Sequence, residues 1–189
     1  MESIGYGAFS SLIYGNSGSY VASSLKSIKF GINLKSIDGY AFHCNENLSK
    51  IEFSGNDLNL IGIGAFRECT SLVEINLTGN DLVIEGYAFY CNTALKSITC
   101  SGVKRIDNDV FSHCNALETV TLPENLTSIG AETFQYCSKL ESIIIPNNVK
   151  TLFGFTFAYC TSLKNVSIGS GCTSCLLYTS PSPRDISGS

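Results

Sequence analysis

Nine cysteines and two histidines hold most of the chemistry open to this 189-residue chain. Thiols can cross-link, bind a metal or act as nucleophiles, and spacing decides between these. Six of them, Cys44, Cys69, Cys91, Cys114, Cys137 and Cys160, recur at about 23-residue intervals. Zinc needs two ligand pairs at short spacing, which one Cys per interval does not supply. The six therefore read as a ladder of small buried thiols packing as hydrophobes, with no metal site and no cofactor. Cys100 and Cys172 replace apolar residues and read the same way. A cysteine count spent on packing does not report a redox compartment.

His43 and His113 each precede a ladder cysteine, as a His/Cys nucleophile pair would require. They stand three repeats apart, on the order of 15 Å at strand spacing, so they cannot share a site. Each is expected in a surface loop, and no catalytic residue is assigned. Asp38, Glu85 and Asp107 share one register position. Such a column could hold a cation weakly; solvated turn carboxylates are the expected reading. Asn47, Asn76, Asn125 and Asn165 open N-x-S/T sequons, which matter only in a secreted eukaryotic chain. The sequence has no glycine-rich phosphate loop, paired acid/base motif or nucleophile elbow.

Bulk composition narrows the classes further. Hydrophobic residues make up 44% of the chain, enough for a sizeable core, and charged residues only 15%. A net charge of −4 gives no electrostatic reason to seek nucleic acid or anionic lipid. No apolar run approaches the ~18 residues of a membrane span, and the first residues show no signal peptide.

The elements that must position these residues are repeats. A Phe recurs at Phe9, Phe42, Phe66, Phe89, Phe111, Phe134 and Phe157, with spacings of 24, 23, 22, 23 and 23 from Phe42 onward. Six residues after each Phe from Phe42 stands Leu48, Leu72, Leu95, Leu117, Leu140 or Leu163. Three further on stands Ile51, Ile75, Ile98, Val120, Ile143 or Val166, and two beyond that Phe53, Leu77, Cys100, Leu122, Ile145 or Ile168. Five residues before each Phe stands Ile4, Ile37, Ile61, Ile84, Ile106, Ile129 or Leu152. The period-two Ile-x-Leu segment predicts one short strand per unit, and in-register stacking predicts a parallel sheet of about seven strands. One unit cannot bury its Leu, Ile and Phe alone, whereas a stack buries a column of each. A Gly after the Ile allows a tight turn or positive φ. The return arc is expected as loop, short strand or a single 3₁₀ turn.

The unit reads Leu-x-x-Ile-x-Leu, then Ile-Gly-x-x-Ala-Phe-x-x-Cys. Leu117 to Cys137 (LETVTLPENLTSIGAETFQYC), with Pro123, is nearly a full copy, and Leu140 to Cys160, with Pro146, is another. This pattern resembles the BspA-type leucine-rich repeats. Some units depart from it. Gly replaces Pro near Ser54 and Thr78, and Cys44 and Cys91 sit two rather than three residues after Phe. The resemblance implies a right-handed, curved solenoid, mainly β, with a parallel sheet on its concave side and loops or short strands on its convex side. It also implies a protein-binding, ligand-binding or adhesion module, within a larger cell-surface or secreted protein.

Residues 1–174 are assigned to the array, about seven units of 22–24 residues with an insertion within 10–24. Cys175 to Asp185 (CLLYTSPSPRD) resembles one reading frame of the adapter used in transposase-based DNA sequencing libraries, so 175–189 are taken as a non-native tail. Met1 and Cys172 fall in the apolar column of Leu34, Leu58, Val103, Leu126 and Val149. Met1 therefore reads as an internal methionine, and the array as cut in mid-repeat.

The expected contact surface is the outward side of the strands. Its central column is Lys29, Glu52, Asn76, Thr99, Thr121, Ile144 and Ser167, flanked by Ser27, Lys50, Glu74, Ser97, Thr119, Ser142 and Asn165. Neither column has the aromatic anchors common at interfaces. Tyr6, Tyr40 and Tyr87 near the Phe corner form a second candidate patch, and the insertion with Tyr14 and Tyr20 a third. The expected partner is a protein or glycan, with no nucleic acid and no membrane insertion. The alternatives are a targeting arm of a multidomain enzyme and a structural spacer.

Overall fold

The computed structural model describes residues 1–11 and 23–175. Most of the insertion, including Tyr14 and Tyr20, and the tail beyond 175 lie outside the described residues.

The described residues form strands and turns with no helix: β1 (Ser3–Ile4), β2 (Ser27–Phe30), β3 (Ser36–Ile37), β4 (Lys50–Phe53), β5 (Leu60–Ile61), β6 (Glu74–Ile84), β7 (Ser97–Ile106), β8 (Thr119–Thr121), β9 (Ser128–Ile129), β10 (Ser142–Ile145), β11 (Thr151–Leu152), β12 (Asn165–Ile168) and β13 (Ser174–Cys175). Each coil contributes to two ribbons. The Ile-x-Leu segments form one, and the apolar pairs before the Phe corner form the other. Every pairing is parallel, and the inward apolar columns set like residue over like, as in Ile28↔Ile51, Ile75↔Ile98 and Ile143↔Val166.

The expected single sheet of Ile-x-Leu strands is instead divided. Its hydrogen-bonded groups are β2–β4, β6–β7–β8 and β10–β12. Continuity passes to the second ribbon, which runs β1-β3-β5-β6-β7-β9-β11-β13. Proline at the turn accompanies the separation in the coils of β8 and β10, and β4 and β5 are separate even with Gly55 there. Pro123 and Pro146 lack an N–H, and β8 and β10 end just before them. At the equivalent turn β6 and β7 carry Gly79 and Gly102 and stay paired through it, with a register shift. A Cβ on Gly102, at φ 76°, would sit 2.0 Å from the Gly79 carbonyl oxygen, so no other residue fits there.

The core is a set of columns. Phe42, Phe66, Phe89, Phe111, Phe134 and Phe157 stack at ring-centroid separations of 5.1 to 5.8 Å. The four central rings are fully buried. Burying each Phe stabilises the fold by about 1.5–3 kcal/mol, with stacking adding to that. The Ile column from Ile37 to Leu152 and the Leu column from Leu48 to Leu140 are equally dry.

The Phe corner is unlike strand or helix. Residues two before and two after each Phe from Phe42 onward are left-handed, among them Tyr40 (φ 54°), Cys44 (58°), Glu68 (61°), Tyr87 (60°) and Cys91 (58°). The Gly after the Ile is not the left-handed residue. Gly62 and Gly130 are needed because a Cβ would meet backbone at 2.6 and 2.4 Å, and positive φ falls two residues later. Alternation turns every second N–H toward the next coil: Tyr40, Phe42 and Cys44 donate to the carbonyls of Ile63, Ala65 and Arg67 at 2.8, 2.8 and 2.9 Å. The residues between bond within their own coil, as His43 N–H does to Tyr40.

Candidate functional site

The packed columns hold the strand face in place. Ser27↔Lys50 and Lys29↔Glu52 pair on β2 and β4. Glu74↔Ser97↔Thr119 and Asn76↔Thr99↔Thr121 run across β6, β7 and β8. Ser142↔Asn165 and Ile144↔Ser167 close the face on β10 and β12. Each expected central residue is exposed or, for Glu52, half-exposed. The charge is concentrated at one end. Lys50 Nζ lies 2.6 Å from Glu52 Oε1, and Lys29 Nζ 3.9 Å from Oε2. The Lys50 hydrogen bond holds the Glu52 carboxyl below its ordinary range and raises Lys50 in turn, with Glu74 adding to that field. The other end is small and neutral apart from Ile144, whose side chain stands in solvent, 70% exposed.

The corner carries a second surface. Tyr6 meets Tyr40 edge-on at 5.7 Å, and Tyr87 meets Tyr90 likewise. His113, Tyr136 and Tyr159 stack face to face at 4.4 and 4.3 Å, and Arg67 lies over the Tyr90 ring. Two members of the carboxylate column have partners: Glu85 accepts the Ile63 N–H, and Asp107 pairs with Arg105.

The cysteines separate into two kinds. Cys69, Cys114, Cys137 and Cys160 are buried, three residues after Phe. Each thiol donates to the Phe carbonyl of the preceding coil, at 3.3, 3.4, 3.3 and 3.0 Å. They are hydrogen-bond donors as well as packing groups, which the reading as plain hydrophobes missed. In the two units where Cys moves forward by one, Asn45 and Asn92 take this inward place. Asn45 Nδ2 donates to the Phe9 and Phe42 carbonyls, and Asn92 Nδ2 to those of Phe66 and Phe89.

The displaced thiols face outward, and one joins a cluster that sequence reading did not assemble. Cys44 Sγ donates to Glu68 Oε2 at 3.2 Å. His43 Nε2 lies 3.9 Å from the same oxygen. Ligand atoms of His43, Cys44 and Glu68 all fall within 4.8 Å of one another. His43 is not the surface-loop residue expected: it is 8% exposed, and its Nε2 has no hydrogen-bond partner. Burial lowers its pKa. Burial, then the Glu68 hydrogen bond, push the Cys44 thiol up to about 12. Burial opposes the Glu68 charge, but the Cys44 and Arg67 hydrogen bonds keep its carboxyl below the ordinary value. The signal was present in the register, since Cys44 and Glu68 stand two residues after Phe in successive units.

The comparisons with known proteins agree with this architecture. A model of the BspA type leucine rich repeat region matches residues 1–114 and 83–179, in six copies. The crystal structure of a leucine-rich repeat protein of T. pallidum is 26% identical, covers 81% of this chain and 74% of its own, and superposes with a TM-score of 0.74. A leucine-rich repeat protein from Bacteroides ovatus is 29% identical and covers 93% of this chain and 48% of its own, with a TM-score of 0.67. A leucine rich cell surface protein from Faecalibacterium prausnitzii, 21% identical over 92% of this chain and 60% of its own, shares the fold at a TM-score of 0.57. No curated protein matches the chain.

Proposed function

This chain belongs to the BspA-type leucine-rich repeat family, and from that premise we propose that it is a protein-binding or adhesion module whose contact surface is the outward face of β2, β4, β6, β7, β8, β10 and β12. The register of that face carries the reading. Its polar columns are exposed while every inward neighbour is packed, so a partner meets a surface already fixed in shape. Little ordering cost is then incurred on binding. Lys29, Lys50, Glu52 and Glu74 supply a charged end for orientation. Ile144 supplies an apolar point on an otherwise small neutral end. Thr99, Thr121, Asn76 and Ser167 give hydrogen-bonding groups suited to a protein or a glycan.

We place the module in a longer cell-surface or secreted protein. In support, the Faecalibacterium neighbour is a cell surface protein, and the chain spans under half of the Bacteroides structure. Among the described residues, no helix is long and apolar enough to cross a membrane. A binding role also suits the thiols better than catalysis. A nucleophilic Cys needs a lowered pKa, and burial moves Cys69, Cys100 and Cys160 the other way, to about 12.

The test is a panel of immobilised secreted proteins, matrix proteins and glycans, read by surface plasmon resonance. At least one ligand should bind, with affinity falling tenfold or more in Ile144→Arg or in the double variant Lys29→Glu/Lys50→Glu. Tyr6→Ala and Tyr87→Ala should bind as the parent does. Loss confined to the tyrosine variants would move the contact surface to the corner, and silence across the panel would favour a spacer.

A further inference from the structure

We propose that His43 Nε2, Cys44 Sγ and the Glu68 carboxylate form a three-ligand site for a zinc-class divalent cation, joining the second Phe coil to the third. The donor set is one imidazole, one thiol and one carboxylate. That combination suits Zn²⁺ rather than Ca²⁺ or Mg²⁺, which take oxygen ligands.

The geometry is close to what the ion needs. Tetrahedral zinc with ordinary bond lengths holds its ligand atoms about 3.3–3.6 Å apart. Sulfur to oxygen is already 3.2 Å and nitrogen to oxygen 3.9 Å, and no pair exceeds 4.8 Å. Small side-chain rotations therefore suffice. Backbone conformation fixes the approach: Cys44 and Glu68 are both left-handed, at φ 58° and 61°, and the Cys44 N–H bonds the Arg67 carbonyl at 2.9 Å. Arg67 Nε holds Glu68 Oε1 at 3.0 Å, which leaves Oε2 turned to His43 and Cys44. Outer hydrogen bonds of this kind orient ligands in metal sites.

The independent observation is His43 itself. Its ring is enclosed, and Nε2 points at the cluster with no donor or acceptor to meet it. The Cys44–Glu68 hydrogen bond explains those two residues and leaves His43 unexplained. A cation satisfies all three. On binding, the Cys44 S–H proton now shared with Glu68 leaves to solvent, a metal–sulfur bond forms, and the Nε2 lone pair and Glu68 Oε2 complete three positions. Cys44 and Glu68 are half-exposed, so the fourth position opens to water.

The test uses the full chain carrying Cys175→Ser, because Cys172 and Cys175 sulfurs lie 3.6 Å apart and would bind metal themselves. Zn²⁺ should bind at one equivalent by calorimetry. Co²⁺ should give a sulfur-to-cobalt charge-transfer band. Cys44→Ser should abolish that band, His43→Gln and Glu68→Gln should each weaken binding tenfold or more, and Cys91→Ser, one coil further on, should leave it unchanged. A second measurement needs no ligand variant: saturating Zn²⁺ should slow alkylation of Cys44 tenfold or more, read by mass spectrometry, while Cys91 alkylates at its metal-free rate. Binding that is absent, that persists in Cys44→Ser, or that fails to protect Cys44 overturns the site.

Discussion

A thiol and an amide perform the same task at the third residue after each Phe from Phe42 onward. The Phe carbonyl lies inside the corner, out of reach of water, and a buried acceptor is costly without a donor. Cys114 supplies its S–H to Phe89, and Asn92 its amide to both Phe66 and Phe89. Asn92→Cys should therefore be mild, below about 1.5 kcal/mol, since the thiol restores one bond in a site that four other units already show it fits. Asn92→Leu, similar in size but without a donor, should cost about 2–3 kcal/mol by leaving the buried Phe66 carbonyl without its donor, while Phe89 keeps the Cys114 thiol. Urea denaturation of the pair distinguishes the donor role from simple filling of space: equal costs would show that only volume matters.

At the scale of the element, the decisive feature is where the chain can place glycine. The turn between ribbons is continuous in β6 and β7 because Gly79 and Gly102 lie back to back. Gly102→Ala adds a backbone clash to a left-handed strain of roughly 1–2 kcal/mol. It should cost more than about 2 kcal/mol in total and loosen the Thr78↔Ser101 pairing, visible as faster amide exchange there. Gly7 offers the control. It is also left-handed, at φ 61°, but a Cβ there meets nothing within 4 Å, so Gly7→Ala should show the strain alone, about 1 kcal/mol. Many corner positions accept Tyr, Cys or Glu in the same conformation. The stacked hydrogen bonds over-determine the corner, and that support lets the His43, Cys44 and Glu68 cluster form.

For the whole molecule, stability is a sum over neighbouring coils. Phe134 touches only the Phe rings of the coils before and after it in the aromatic column. Phe134→Asp sets a charge with no counter-ion into a dry column, and should remove hydrogen-exchange protection from the coils of Phe111 to Phe157 while coils near Phe42 keep theirs. Lys29→Ala, on the strand face, should leave both stability and exchange near the parent. Uniform loss across the chain would show one cooperative core instead of a stack.

Repetition made the architecture legible from sequence. The Phe, Leu and Ile intervals imply columns, and columns require stacking, because each unit alone leaves its apolar side chains wet. The rows of the strand face followed from the same register. Other features depended on which atoms the coils bring together across about 23 residues of chain. The second ribbon as the continuous sheet, the left-handed pair around each Phe from Phe42 onward, the exchange of Cys for Asn, and the meeting of His43 with Glu68 all rest on backbone hydrogen-bond direction. Spacing states which residues recur, whereas the sign of φ states which way they face, and only the packed stack settles that sign.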